Sequence, residues 1–178
     1  LHILAGLDLP ESGRVRVAGK EMSALGEDER AAVRATSIGI VFQRDQLLVQ
    51  CTALDNVLLP AVVGGRRDQV SDKARAQHLL DAVGLADFAR HRPGELSAGQ
   101  RQRVAFARAL FLSPSLVLAD EPTGALDPET SEALMDLLES LRESQSLSMI
   151  VVTHDAAVVA RADRALKLVD GVLEPLTS

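Results

Sequence analysis

The sequence predicts an α/β fold, a mostly parallel sheet with a small antiparallel part and an inserted lobe of helices. Three observations carry that reading. Residues 37–42, 116–119 and 147–153 are compact apolar runs of the length of strands buried on both faces. A long helical pattern separates the second from the third, giving strand–helix–strand order. From about residue 44 to residue 95 strand signals vanish and two helical patterns take their place. The core is therefore assigned to residues 1–43 and 96–178, and the helical lobe to residues 44–95.

Each element has a local reason. The opening run, Leu1-His2-Ile3-Leu4-Ala5, reads as the middle of a buried helix with no N-cap, ended by Gly6. It raises the expectation that the α/β core is incomplete at its N-terminus. Pro10-Glu11-Ser12-Gly13 is a turn, and residues 14–17 alternate like a half-exposed strand. Residues 27–34 form a short charged helix, and the strand at 37–42 ends in Gln43. Helices follow at 52–63 and 71–83, separated by Gly64-Gly65-Arg66-Arg67. Ser71 caps the second, Ala76, Leu79, Leu80 and Val83 share its apolar face, and Gly84 closes it. Residues 100–112 are helical, with Val104, Ala107 and Phe111 on one stripe, and Pro114 stops them. Asp127 caps a helix with Pro128 at its first position, and Leu134, Leu137, Leu138 and Leu141 face the sheet. Residues 166–173 read as a hairpin on Asp170-Gly171.

Composition narrows the function classes. The 178 residues are 47% hydrophobic and 25% charged, an ordinary globular balance, and such a chain buries roughly 70% of its unfolded surface. The net charge of −6 argues against a nucleic-acid partner. No apolar run approaches the ~18 residues that cross a bilayer. The single Cys51 allows no internal disulfide, reads as a small buried hydrophobe, and fits a reducing, cytoplasmic compartment.

Ligands of parallel sheets bind beyond the carboxyl ends of the strands. At those ends stand Gln43, the pair Asp120-Glu121, and His154. An amide, two carboxylates and an imidazole on one edge suit metal-assisted phosphate chemistry. A carboxylate there can hold Mg²⁺, directly or through water, and its neighbour is free to orient or deprotonate a water. An isolated Asp-Glu pair is commonly two solvated acids. Here four apolar residues precede it and Pro122-Thr123-Gly124 follows, which favours the strand-end site. Ser97, Ala98, Gly99 and Gln100 open a helix carrying Arg101, Arg103 and Arg108. A hydroxyl, close backbone approach and a helix N-terminus make an anion site, although a simple Ser cap and a solvated arginine face explain the same residues. His2, His78 and His91 show no ligand spacing, with one another or with Cys51.

Taken in order, Val41-Phe42-Gln43, residues 96–100, the run 116–121, Gly124-Ala125-Leu126-Asp127 and Thr153-His154-Asp155 resemble the Q-loop, signature, Walker B, D-loop and switch histidine of ABC-type ATPase domains. Ala5-Gly6-Leu7-Asp8, Ile38-Gly39-Ile40-Val41-Phe42-Gln43 and Asn56-Val57-Leu58-Leu59-Pro60 resemble the subgroup serving lipoprotein release and macrolide efflux. The resemblance implies a P-loop NTPase-like fold and an ATP-hydrolysing transporter subunit using ATP and Mg²⁺. It makes Asp120 and Gln43 the metal ligands, Glu121 the general base, and His154 and Gln43 the sensors of the γ-phosphate. Ser97, Ala98, Gly99 and Gln100 would meet the nucleotide of a head-to-tail homodimeric partner, and Asp127 would contact across that interface. The helical lobe would grip an integral-membrane permease, placing the protein on the inner face of the membrane.

Two departures stand out. Ala98 replaces the usual glycine, harmless unless φ is positive there. The phosphate-holding pattern G-x-x-x-x-G-K-[ST] is missing: the one Gly-Lys pair, Gly19-Lys20, is followed by Glu21 and preceded by Arg14 where a glycine belongs. These residues alone are therefore expected to bind MgATP very weakly and not to hydrolyse it, whereas the intact protein is expected to hydrolyse it. A non-catalytic permease-binding or regulatory protein stays open as the alternative.

Overall fold

The computed structural model describes residues 1–65, 68–124, 126–145 and 147–176, except the side chains of residues 141 and 143–145. In chain order they form β1 (Arg16–Val17), β2 (Lys20–Glu21), α1 (Glu27–Ser37), β3 (Ile38–Val41), α2 (Ala53–Val63), α3 (Gln69–Ala82), α4 (Ala98–Leu110), β4 (Leu116–Asp120), α5 (Pro128–Gln145), β5 (Ser148–Val152), α6 (Ala156–Ala160), β6 (Leu166–Val169) and β7 (Val172–Pro175). The strands β3, β4 and β5 make a parallel sheet in that order, flanked in sequence by the antiparallel pairs β1–β2 and β6–β7. This is the expected α/β architecture.

Alternation along β4 sends side chains to both faces. Val117 and Ala119 join Val41 against α2, α3, α4 and α5, in a core with Val57, Leu80, Val104, Phe106, Phe111, Leu134 and Leu138. Leu118 turns to the other face and packs with Ala5, Val17, Met22, Val33 and Ile38. Gly39 lets β3 lie against α4, because a Cβ there would sit 2.5 Å from the Ala109 carbonyl oxygen. β3 pairs with β4 in a four-residue register from Ile38↔Leu116 to Val41↔Ala119.

The caps explain where the helices start. Thr52 Oγ1 accepts from Asp55 N–H at 3.1 Å, and Asp55 Oδ2 accepts from Thr52 N–H at 3.1 Å. Asp127 Oδ1 accepts from Thr130 N–H at 2.9 Å, as expected for the start of α5. Leu134 and Leu138 are buried and Leu137 is half-buried, while the Leu141 side chain lies outside the described residues, as do Arg66 and Arg67.

Four expectations need correction. The opening run is one closing turn rather than the middle of a helix. Gly6 N–H donates to Ile3 O at 3.1 Å and Leu7 N–H to His2 O at 3.0 Å, with Gly6 at φ +66. Only Ala5 of that run is buried. The cap of α3 is Asp68, whose Oδ1 accepts from Ser71 N–H at 3.2 Å, so Ser71 lies inside the first turn. Cys51 is half-buried, in the loop before α2. Finally, β5 is not buried on both faces. Met149 and Val151 pack on the helical side, but Ile150 and Val152 are 39% and 46% exposed, because the second core reaches only β3 and β4.

Candidate functional site

Parallel pairing carries three strand ends to one edge. The register puts Val41 beside Ala119 and Ala119 beside Val151, so the residues that follow leave the sheet together. Gln43 is exposed two residues past β3, Asp120 is the last residue of β4, and His154 stands two residues past β5. The three strand ends thus leave the sheet at one edge, and Glu121 and His154 are in contact there.

Glu121 is held most tightly. Its φ of +45 is a left-handed conformation that a side-chain-bearing residue adopts only when its surroundings impose it. Here Glu121 N–H donates to Val152 O at 2.8 Å and Gly124 N–H donates to Glu121 O at 3.2 Å, fixing the turn from β4. The carboxylate then faces β5. Oε1 lies 2.8 Å from His154 Nδ1 and Oε2 accepts from Thr153 Oγ1 at 3.3 Å. The Glu121 side chain is 20% exposed and that of His154 is 84% exposed, so a half-buried carboxylate carries a solvent-facing partner. The Glu121 hydrogen bond, then its charge, raises His154 above the ordinary histidine value. Behind them Thr123 Oγ1 reaches Asp155 Oδ2 at 3.4 Å, and Asp155 caps α6 through Ala157 N–H at 2.9 Å. Sequence reading found Glu121 and His154 but missed Thr153 and Thr123. A hydroxyl beside each motif is a weak signal until the fold closes it.

Asp120 differs from its neighbour. It is half-buried beside Ile40, Phe42, Leu118 and the turn at Leu1–Leu7, and among the described residues no side chain bonds to its carboxylate. Among the described residues there is likewise no cluster of three or more His, Cys, Asp or Glu able to hold a metal. Magnesium suits such a site, because it takes one or two protein oxygens and fills the rest of its shell with water and phosphate. The free Asp120 carboxylate and the exposed Gln43 amide fit it.

Ser97 and its neighbours sit apart from this carboxylate–imidazole pair. No described hydrogen bond or ion pair joins residues 97–100 to Asp120, Glu121 or His154. Ser97 Oγ accepts from Gln100 N–H at 3.1 Å, and Gln100 Oε1 accepts from Ser97 N–H at 2.8 Å, a reciprocal cap that opens α4. Ala98 is the first residue of that helix and has no positive φ, so its methyl group is unstrained. Gly99 follows it within the first turn. The arginines behind them are not a solvated face. Arg101 pairs with Asp45, Arg103 Nη1 donates to Val83 O at 2.9 Å, and Arg108 donates to the carbonyls of Asp45 and Gln46. Asp127 is committed to Thr130, whose Oγ1–H donates to Oδ2 at 2.6 Å, and this holds its carboxyl below the usual range. Ala125 of the same motif lies outside the described residues. Ala18 and Gly19 form the turn between β1 and β2, and Lys20 is the first residue of β2, paired with Val17.

A parallel sheet whose strand ends carry one free carboxylate, one carboxylate–imidazole pair and one amide at the same edge suits phosphate chemistry. Comparison with known proteins specifies it further. The family model described as ABC transporter matches residues 1–124. The lipoprotein-releasing system ATP-binding protein LolD of Xanthomonas campestris pv. campestris (strain 8004) is 46% identical over 176 residues, covering 99% of this chain and 73% of the relative. The protein of the same description from Xylella fastidiosa (strain Temecula1) is 46% identical over 178 residues, covering 100% and 74%. Among solved structures, a dimeric post-hydrolysis state of the ATP-binding cassette MJ0796 bound to ADP and Pi superposes with a TM-score of 0.90 at 39% identity, covering 99% of this chain and 79% of that one. The chain belongs to the ABC transporter family, as its ATP-binding, ATP-hydrolysing domain.

Proposed function

We propose that this domain drives a lipoprotein-releasing type of exporter, hydrolysing ATP at the edge of β3, β4 and β5 and passing the resulting movement to a membrane permease. The Glu121–His154 pair, 2.8 Å apart on a strained turn, is the observation that carries the chemistry. The 46% identity to LolD proteins carries the choice of subgroup.

In this reading Glu121 accepts the proton of the attacking water. Its carboxylate is aimed by His154 and Thr153, and a positioned base of this kind contributes ~10²–10⁴-fold. His154 keeps that carboxylate turned toward β5 and presents its exposed ring edge to the γ-phosphate. Asp120 and Gln43 would hold Mg²⁺, which neutralises charge on the phosphates. Ser97, Ala98, Gly99 and Gln100 would serve the nucleotide of a second copy in a head-to-tail dimer, with Asp127 at the same interface. A dimeric cassette is seen for MJ0796. The lobe of residues 44–95 would meet the permease. Among the described residues no helix is long and apolar enough to cross a membrane.

The test is Glu121→Gln in the full-length protein with its permease. Phosphate release should fall at least ~10²-fold while nucleotide stays bound and the dimer accumulates. Unchanged turnover would remove Glu121 from the role of base.

A further inference from the structure

The loop that follows β3 is fastened to α4 rather than to the sheet. Asp45 Oδ2 accepts from Arg101 Nε at 2.8 Å, and Arg101 Nη1 donates to Leu96 O at 2.8 Å, one residue before Ser97. Two turns along the same helix, Arg108 spreads its fork over consecutive carbonyls: Nη2 to Asp45 O and Nη1 to Gln46 O, both at 2.8 Å. Gln102, buried between them, reaches Phe42 O at 3.4 Å. Gln43 is thus bracketed by bonds from one helix. Gln46 stands at φ +48, a backbone state that needs such restraint. Burial pushes the Arg108 guanidinium down from its ordinary value, and the Asp45 charge opposes that fall.

We propose that Asp45 is a positioning residue for Gln43: held by Arg101 and Arg108, it locks the loop to the helix that begins at Ser97, so that the amide and that helix start shift together. The proposal rests on the reading that Gln43 faces the metal-bound triphosphate. It adds how the position of Gln43 is set, and by which charge.

Asp45→Asn is the direct test, because it keeps an acceptor for the Leu47 N–H bonded at 3.2 Å and deletes the charge facing Arg101. In the full-length protein without nucleotide or metal, amides of residues 43–47 should exchange about fivefold faster, with those of α4 and β4 unchanged. The Mg²⁺ concentration giving half-maximal ATP hydrolysis should rise about threefold. Arg101→Gln, which removes the bond to Leu96 O as well, should do at least as much, and the double variant should do no more than Arg101→Gln alone, since the Asp45–Arg101 interaction is already lost in it. Additive effects, or faster exchange spreading through α4 and β4, would reduce the pair to general structural support and overturn the proposal. Gln43→Ala supplies the separation. If it leaves the Mg²⁺ requirement unchanged, the reading of Gln43 falls and the proposal with it. If it raises the requirement while Asp45→Asn does not, the positioning role alone is lost.

Discussion

β3 and β5 flank the same strand in the same parallel sense, yet one is sealed and the other half open. Of β3, three of four residues are buried, whereas no residue of β5 is. The β3 side is closed from both faces. Gly39 admits α4 on one, and Ala5, Met22 and Val33 cover Ile38 on the other. The loop beyond is pinned again at its far end by Asn56, fully buried. Its Oδ1 accepts from Leu48 N–H at 2.8 Å and its Nδ2 donates to Thr52 O at 2.9 Å. On the β5 side, the hairpin β6–β7 keeps Leu168, Val172 and Leu173 exposed. The bonds there are ion pairs such as Arg161 to Asp136 at 2.7 Å and Arg142 to Asp163. Two strands of nearly equal apolarity thus differ in burial because of what packs on them. The candidate base leans on the open side, through His154.

The contrast makes a graded set of expectations. Phe106→Ala, in the closed core, should cost about 3–5 kcal/mol in urea unfolding, while Val152→Ala at the open edge should cost under about 1 kcal/mol. Equal costs would abolish the distinction. Gly39→Ala should cost about 1–3 kcal/mol, since the Ala109 carbonyl must move aside, and the loss should appear in the same measurement. Asn56→Ala leaves buried main-chain groups of the loop without partners, and about 1–3 kcal/mol is expected. A stability like the parent's would mean that water replaces the amide.

The smallest effect is electrostatic. NMR titration of His154 should give a pKa above the ordinary 6.5, and Glu121→Gln should bring it back toward that value. The sign follows from the direction of the shift. A folded-state pKa above the unfolded one stabilises the fold fully below pH 6.5, and that contribution fades as pH rises through the raised value. A His154 that titrates identically in both proteins would break the pairing.

The strand-end logic was legible because it is local: an apolar run, then Gln43, Asp120-Glu121 or His154. Capping residues were legible for the same reason at Ser97 and Asp127, whereas Thr52 read as the first residue of its helix and is its cap. Ser71 misled because Asp68, three residues earlier, is as good an acceptor, and the choice depends on where the chain leaves α2. Asp45 gave no signal, and Arg101 and Arg108 read only as part of an anion site or a solvated face. An arginine stripe on a helix looks alike whether water or a distant loop meets it.

By itself, the sequence determined which segments become strands and helices and which chemistry stands at each strand's end, since period, caps and chain order are properties of neighbours along the chain. Only the tertiary structure decided that β5 is half bare, that Glu121 turns through a left-handed φ to reach His154, and that α4 grips the loop after Gln43. Those outcomes depend on which surfaces lie within a few ångströms of one another, and packing, hydrogen bonding and charge pairing act across that distance irrespective of separation along the chain.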